Sequence, residues 1–331
     1  MPTVVPRKRT AREDIGLTKF VPDSLRELED PQKDIPRIAK DPRLTAAIDA
    51  AISRVPTRHD LFRQDAREVD LAEGSVHLVL TSPPYWTLKE YNQTDGQLGH
   101  FKEYTHFLDE LDKVWSRCFQ ALVPGGRLIC VVGDVCLSRR KNGGRHTVVP
   151  LHASIQERCR TIGFDNLAPI IWHKIANAKF EADGNGGSFL GKPYEPNSVI
   201  KNDIEFILMQ RKPGGYRTPD LPKRILSVIS EANYQCWFQQ IWTGLTGAST
   251  RQHPAPYPVE LATRLIRMFS FVDDTVFDPF TGTGSTSIAA AQCGRNSIGT
   301  EIDVAYFDLA RRRLTEATSG LFSSVDLRFI E

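Results

Sequence analysis

The chain has 331 residues, 40% hydrophobic and 25% charged; this composition rules against fibrous and disordered classes and leaves room for one large core or a core with a smaller lobe. Its formal charge of +2 does not by itself establish a polyanionic partner, and six cysteines without a C-x-x-C pair disfavour disulfides and a zinc site. No apolar run approaches the roughly 20 residues of a membrane span, and no export signal is evident, so a cytoplasmic protein is expected.

Met1 to about Arg12 places Arg7, Lys8, Arg9 and Arg12 among Pro and Thr, with too little apolar content to fold alone. A basic arm against phosphates and a solvated tail fit it equally. The chain to about Pro56 reads as peripheral, with a weak helical pattern at Leu44 to Ile52. From His59 the pattern sharpens: Val76 to Leu80 is a buried strand that empties into Thr81-Ser82-Pro83-Pro84-Tyr85-Trp86, where two prolines forbid further pairing. Apolar residues from Tyr104 to Leu122 recur every three or four positions, which predicts a helix stopped by Pro124-Gly125-Gly126. Arg127 to Val132 follows as a near-continuous apolar strand, suited to a parallel sheet covered on both faces.

A helix at Leu151 to Thr161 and strands at Leu167 to Trp172 and Ile204 to Met209 come next. The strands are separated by the Gly-rich stretch Asn177 to Asn202, and long irregular insertions of this kind are usually functional. Residues Gly214 to Thr250 show no clear period. A helix from Pro258 through Phe269, a strand at Thr275 to Phe277, an alanine-rich helix at Ile288 to Gln292, a strand at Ser297 to Thr300 and a closing helix through Phe307, Ala310 and Leu314 complete the pattern. Strands alternating with helices predict an α/β, doubly wound, mostly parallel sheet, with its ligand crevice at the carboxyl ends of the strands.

Two loops at such ends carry the chemistry. In Asp278-Pro279-Phe280-Thr281-Gly282-Thr283-Gly284-Ser285 the glycines let backbone approach a ligand without an intervening Cβ. Alone, the turn fits a structural role as well as a cofactor loop. Glu301 at the end of the next strand strengthens the cofactor reading, being placed to accept from both hydroxyls of a ribose. In Ser82-Pro83-Pro84-Tyr85 the serine Oγ and the Pro83 carbonyl can accept hydrogen bonds from an aromatic amino group whose lone pair is delocalised. The prolines keep these acceptors aimed, and Tyr85 offers a stacking face for a base.

Thr81 to Trp86, Gly96-Gln97-Leu98-Gly99, Pro124-Gly125-Gly126, His253-Pro254-Ala255-Pro256-Tyr257-Pro258 and Asp278 to Thr286 together resemble the SAM-dependent amino-methyltransferases of bacterial restriction-modification systems. The likeness spans roughly His59 to Ala317, with the catalytic loop preceding the cofactor loop, the circularly permuted arrangement called the β order. It implies that Ser82, Pro83, Pro84 and Tyr85 are catalytic, and that Asp278, Phe280, Gly282 and Gly284 hold the methionine end of SAM, with Thr81, Thr283 and Ser285 beside them. It further assigns Glu301 to the ribose, Asp65 to the adenine edge, and His253, Pro254 and the residues up to Pro258 to closure over the methionine end. A serine at the head of the catalytic loop is typical of N4-cytosine enzymes, while aspartate or asparagine is typical of N6-adenine enzymes. The implied reaction is therefore methylation of N4 of cytosine in a flipped-out DNA base, with N6 of adenine as the alternative. No metal is needed, because the sulfonium is already an activated electrophile.

On this basis residues 1–58 are a basic arm and peripheral segment, 59–176 the catalytic half, 177–250 target-recognition insertions interrupted by a core strand at 203–210, and 251–331 the SAM-binding half. Arg139, Arg140, Lys141, Arg145, Lys179, Lys192, Lys201, Arg217, Lys223 and Arg224 in the insertions suit phosphates and guanine edges. The expected partners are DNA and a cognate restriction endonuclease, with the chain a monomer or homodimer. Two other classes compete: a SAM- and nucleic-acid-binding module without catalysis, and an RNA or protein-glutamine methyltransferase with a related loop.

Overall fold

The computed structural model describes residues 16–86, 92, 94–174, 202–248, 256–320 and 324–331. The first helices are α1 (Pro31–Lys40) and α2 (Pro42–Ile52), each begun by an aspartate whose side chain accepts from first-turn N–H groups and a proline at the first helical position, the usual start signals. The strands of the main sheet are β1 (Thr57–Arg63), β2 (Val76–Thr81), β3 (Leu122–Val132), β6 (Asp165–His173), β7 (Ile204–Arg211), β8 (Ile241–Trp242), β9 (Thr275–Asp278), β10 (Asn296–Glu301) and β11 (Val325–Ile330). A separate antiparallel ribbon joins β4 (Val135–Leu137) to β5 (Thr147–Val149). The remaining helices are α3 (Tyr104–Ala121), α4 (Leu151–Ile162), α5 (Leu221–Leu226), α6 (Glu231–Trp237), α7 (Val259–Phe269), α8 (Ser285–Gln292) and α9 (Val304–Thr318).

The sheet order is β11-β1-β10-β9-β2-β3-β7-β6-β8. Neighbours run parallel except that β7 is antiparallel to both β3 and β6. This is the mostly parallel, helix-covered architecture expected of the SAM-dependent methyltransferase fold. From β9 the chain winds one way to β10, and from β2 it winds the other way to β3, so the β9–β2 boundary is a topological switch point, where such sheets place ligands. Leu78 pairs with Val276 and Val79 with Phe277 across that boundary. The loops after Thr81 and after Asp278 consequently leave the same sheet edge side by side.

Alternate residues of the central strands feed opposite layers, as the pleat requires. Val79, Leu128, Cys130 and Val132 pack with Leu111, Val114, Trp115 and Ile155 of α3 and α4. Leu78, Leu80, Ile129 and Val131 pack with Leu261, Leu265 and Ile266 of α7 and Ala289 and Ala290 of α8. The small residues of α8 let it sit wholly inside, with Ser285 to Ala291 all buried.

Several expectations need amending. The helix ends at Ala121 as expected, but Pro124-Gly125-Gly126 does not precede the next strand; it lies within β3. Gly125, at φ +75°, donates its N–H to the Lys212 carbonyl at 3.0 Å, so the turn residues remain paired. The segment before Pro56 is more than peripheral: Ile38, Ile48 and Ile52 build a third apolar cluster with Ile225, Leu226 and Val272. The stretch from Gly214 contains α5, α6 and β8, and the sheet gains an edge strand, β11, parallel to β1, that the sequence pattern does not announce. The basic arm and nearly all of the Asn177 to Asn202 insertion lie outside the described residues.

Candidate active site

The carboxyl ends of β1, β2, β9 and β10 enclose a cleft lined by Asp65, Ser82, Pro84, Phe280, Gly282 and Glu301, together with Gln64, Ala66, Gly96, Gln97, Leu98, Pro279, Thr300, Ile302 and Tyr306. A smaller pocket lined by Ser82, Pro256, Tyr257, Phe280, Thr281, Gly282, Thr283 and Ser285 shares Ser82, Phe280 and Gly282 with it. The two cavities therefore adjoin where the catalytic loop meets the glycine loop.

The glycine loop is tied to both neighbouring strands. Thr281 N–H donates to the Thr300 carbonyl at 3.0 Å, and Thr300 Oγ1 donates to the Pro279 carbonyl at 2.8 Å. Asp278 sits beneath the loop, 1% exposed, and lines neither cavity. Its Oδ1 accepts from Thr81 Oγ1 at 2.7 Å and Phe280 N–H at 3.0 Å, and its Oδ2 accepts from Tyr257 OH at 3.1 Å and from Thr286 Oγ1. Burial pushes this carboxyl up, against the hydrogen bonds from Thr286, Thr81, Phe280 and Tyr257. With both oxygens occupied, Asp278 and Thr81 fasten the two loops together rather than presenting donors or acceptors to a ligand.

The two glycines differ. Gly282, at φ +52°, lines both cavities. Gly284, at φ +81°, faces α9, where an added Cβ would stand 3.3 Å from Ala310 Cβ. A side chain on Gly284 would therefore meet α9 rather than either cavity.

Glu301 is 8% exposed at the end of β10. Its Oε2 accepts from Gly282 N–H at 2.9 Å and its Oε1 from Asp303 N–H at 3.0 Å. Burial pushes its carboxyl up to about 7, with those two N–H groups pulling the other way. One acceptor position on each oxygen remains for a donor in the cleft, since a carboxylate has about four lone-pair sites. Asp65 also lines the cleft, but its carboxylate is clamped by Arg67, whose Nη2 and Nε donate to it at 2.6 and 3.0 Å. Arg67 Nη1 in turn donates to Glu110 Oε2 at 2.5 Å.

In the catalytic loop, Ser82 reaches both cavities and Pro84 the larger one. Ser82 Oγ and Tyr85 OH share a hydrogen bond at 3.3 Å. The Tyr85 ring is 3% exposed and belongs to the core cluster under the loop, so it offers no open stacking face, contrary to the expectation. The next residue, Trp86, takes φ +44° and directs its indole N–H to the Phe101 carbonyl at 2.9 Å, with its ring 5.0 Å from Tyr104. A non-glycine residue in this region signals local strain held by its surroundings.

The sequence pattern left Arg67, Gln97, Ile302, Tyr306 and Thr286 without a role, and gave Tyr257 one only as part of the segment up to Pro258. Gln97 and Thr286 fall within quoted motifs, which is the one signal that singles them out. His253 and Pro254 lie outside the described residues. Among the described residues, no group of three or more His, Cys, Asp or Glu is placed to hold a metal, and no helix is long and apolar enough to cross a membrane.

The "DNA methylase" family model N6_N4_Mtase matches residues 76–312. The chain is 34% identical over 297 residues to the type II methyltransferase M.MthZI of Methanothermobacter thermautotrophicus, covering 83% of this chain and 81% of that one. It is 35% identical over 281 residues to the type II methyltransferase M.MjaI of Methanocaldococcus jannaschii, covering 75% and 88%. Among solved structures, a Thermus thermophilus protein assigned as a DNA modification methylase, complexed with S-adenosyl-L-methionine, superposes with a TM-score of 0.67 at 49% identity, covering 82% of this chain and 98% of that chain. The cytosine-N4-specific PvuII DNA methyltransferase, at 17% identity and a TM-score of 0.55 over 83% and 96%, shares the fold. The family match over most of the chain, with these relatives, means that the chain belongs to the N6/N4 DNA methylase family and is a DNA methyltransferase of the restriction-modification type.

Proposed function

We propose that the protein transfers the methyl group of SAM to N4 of cytosine in a base rotated out of DNA, at a specific sequence, beside a cognate restriction endonuclease. The observation that carries this reading is the position of Ser82, which lines both the cleft that ends at Glu301 and the pocket beside the glycine loop. On the assignment of the glycine loop to the methionine end of SAM, a hydroxyl there stands beside the cofactor, at the head of the loop that would receive the amino group.

The donor set fits SAM: a buried acid with free acceptor positions for ribose hydroxyls, apolar Ile302 and Leu98 for a purine, and the Gly282 backbone lining the cleft. The related Thermus protein was crystallised with SAM. When bound, SAM supplies a sulfonium-activated methyl carbon, whose bond to sulfur breaks as the bond to nitrogen forms. Ser82 Oγ and the Pro83 carbonyl would accept from the amino N–H groups, drawing the nitrogen lone pair out of the ring, and the methylated nitrogen would lose its extra proton to solvent. Tyr85 holds the Ser82 hydroxyl through their shared hydrogen bond. Rotating the base out costs a few kcal/mol, which contacts from the basic insertions offset. Exposed Arg139, Arg140 and Arg145 stand between the two strands of the β4–β5 ribbon, which follows the carboxyl end of β3.

The test is sequencing of modified bases in DNA from a methylation-free host expressing the protein. N4-methylcytosine at one recurring motif is expected. N6-methyladenine would overturn the cytosine assignment, and unmodified DNA from a host making folded protein would overturn catalysis.

A further inference from the structure

Residues 94–98, with Asn92, run along the cleft between the catalytic loop and α3 without belonging to any strand of the sheet. Two anchors hold them. Thr94 Oγ1 donates to Asp303 Oδ2 at 2.8 Å, and Asn92 Nδ2 donates to Asp303 Oδ1 at 3.1 Å. Arg67, already clamped on Asp65, donates from Nη2 to the Gly96 carbonyl at 3.2 Å. Gly96 takes φ +85°, and a Cβ on it would stand 2.8 Å from Ile302 Cδ1 and 2.9 Å from Asp65 Oδ2. The segment therefore presses directly on two cleft-lining residues, while Gly96, Gln97 and Leu98 line the cleft themselves.

Asp303 lies two residues beyond Glu301, and its Oδ1 also accepts from Tyr306 N–H at 3.0 Å, capping α9. Burial pushes its carboxyl up, but the Tyr306 N–H, Thr94 and Asn92 outweigh this and hold it below the usual carboxylate range. It therefore serves the segment as a charged acceptor, the stronger kind.

We propose that Asn92 and residues 94–98 form a fixed wall of the nucleoside end of the cofactor cleft, and that Asp303 and Arg67 are positioning residues whose hold on this wall sets the affinity for adenosine-containing ligands. The proposal rests on the assignment of the cleft to SAM. One anchor joins the wall to the end of β10 beside Glu301, the other to the end of β1 beside Asp65. A ligand seated between those strand ends meets the wall as its third side, and a wall freed from Asp303 must be ordered again when the ligand binds.

The test uses the full chain and three ligands titrated by calorimetry: SAM, S-adenosylhomocysteine and 5′-methylthioadenosine, which lacks the amino-acid end. Thr94→Val keeps the side-chain shape and the α9 cap but removes the donor. It should weaken all three ligands by about tenfold, the scale of a hydrogen bond to a charged group, with affinity regained in Thr94→Ser. Methyl transfer should show a raised KM for SAM and an unchanged kcat. Asp303→Asn retains an acceptor for the cap but removes the charge that Thr94 and Asn92 donate to; it should weaken the ligands alike and should add little in combination with Thr94→Val, because both act on the same contact. Unchanged affinities in the folded variants, or losses confined to kcat, would overturn the wall. Wild-type protein that binds none of the three would instead overturn the cofactor assignment itself.

Discussion

The backbone N–H of Gly282 donates to Glu301 Oε2 at 2.9 Å, so the glycine turn after β9 and the acid ending β10 form one unit. Because burial raises the Glu301 carboxyl to about 7, its charge is set by the working pH. The charged form accepts two ribose hydroxyls best, so SAM affinity should rise as pH increases from about 6 to about 8.5, the span around that raised value. For stability the sign is opposite: the folded carboxyl holds its proton more tightly than the unfolded one. Its contribution is full below the ordinary glutamate range and is lost as pH rises to about 7. Glu301→Gln should bind SAM at least about tenfold more weakly and abolish that part of the pH dependence, as calorimetric titration across the range would show. An affinity in the wild type that is flat with pH would remove Glu301 from the ribose.

Gly284 offers a contrast with Gly282. Since its missing Cβ faces Ala310 and its φ is +81°, Gly284→Val should cost stability, on the order of 2 kcal/mol or more from the backbone conformation and the crowded helix contact. The fraction that remains folded should bind SAM with near wild-type affinity. Gly282→Ala, on the cleft and also at positive φ, should lose some stability but should in addition weaken SAM binding in the folded protein. Thermal unfolding and calorimetry on the two variants separate the roles, and a SAM-binding defect in folded Gly284→Val would return that glycine to the ligand path.

Much of this site is legible in the sequence because strand ends leave local marks. An apolar run closed by Ser82-Pro83-Pro84 and another closed by Asp278-Pro279-Phe280 announce loops at a sheet edge, and Gly282 and Glu301 follow from the period of the strands. What is not legible is the partner of each polar group. Asp278 looks like a ligand-binding acid until Tyr257, Thr286 and Thr81 are seen to occupy it, and hydrogen bonds between distant segments impose no periodicity. Tyr85 reads as a stacking ring because its burial comes from a core cluster built by residues distant in sequence. The helix α1 is hidden by Pro36 within it and by a single fully buried residue, Ile38.

The lock on Asp278 should be a stability element first. Tyr257→Phe removes one donor from a fully buried carboxylate, which should cost about 1–3 kcal/mol. Denaturant unfolding should report this as a lower midpoint with an unchanged slope. A neutral result would mean that the Tyr257 hydroxyl contributes nothing net to holding the loops after β2 and β9 together.

DNA binding should weaken steeply with salt, because arginine and lysine release condensed counterions from the duplex. Arg140 is exposed on the turn between β4 and β5, and Arg140→Ala should lower the slope of log K against log salt by about one. Removing residues 1–12 should lower it further if the arm touches phosphates. An unchanged slope in both variants would place the phosphate contacts elsewhere on the molecule.

The catalytic loop separates chemistry from folding through Ser82 and Tyr85. Because the Tyr85 ring is packed in the core at 3% exposure, Tyr85→Ala should destabilise the protein by about 3–5 kcal/mol, and lost activity there would say little about catalysis. Tyr85→Phe keeps the ring and removes only the hydroxyl that meets Ser82 at 3.3 Å. Ser82→Ala removes the acceptor itself. Under single-turnover conditions with saturating DNA and SAM, Ser82→Ala should slow transfer on the order of a hundredfold with unchanged SAM affinity. Tyr85→Phe should slow it by less, since it frees the Ser82 hydroxyl without deleting it. If Ser82→Ala transfers at the wild-type rate, the serine does not activate the amino nitrogen, and the assignment to cytosine loses its main support. If Tyr85→Phe is slower than Ser82→Ala, the tyrosine hydroxyl acts on the base directly, which would require its ring to leave the core when DNA binds.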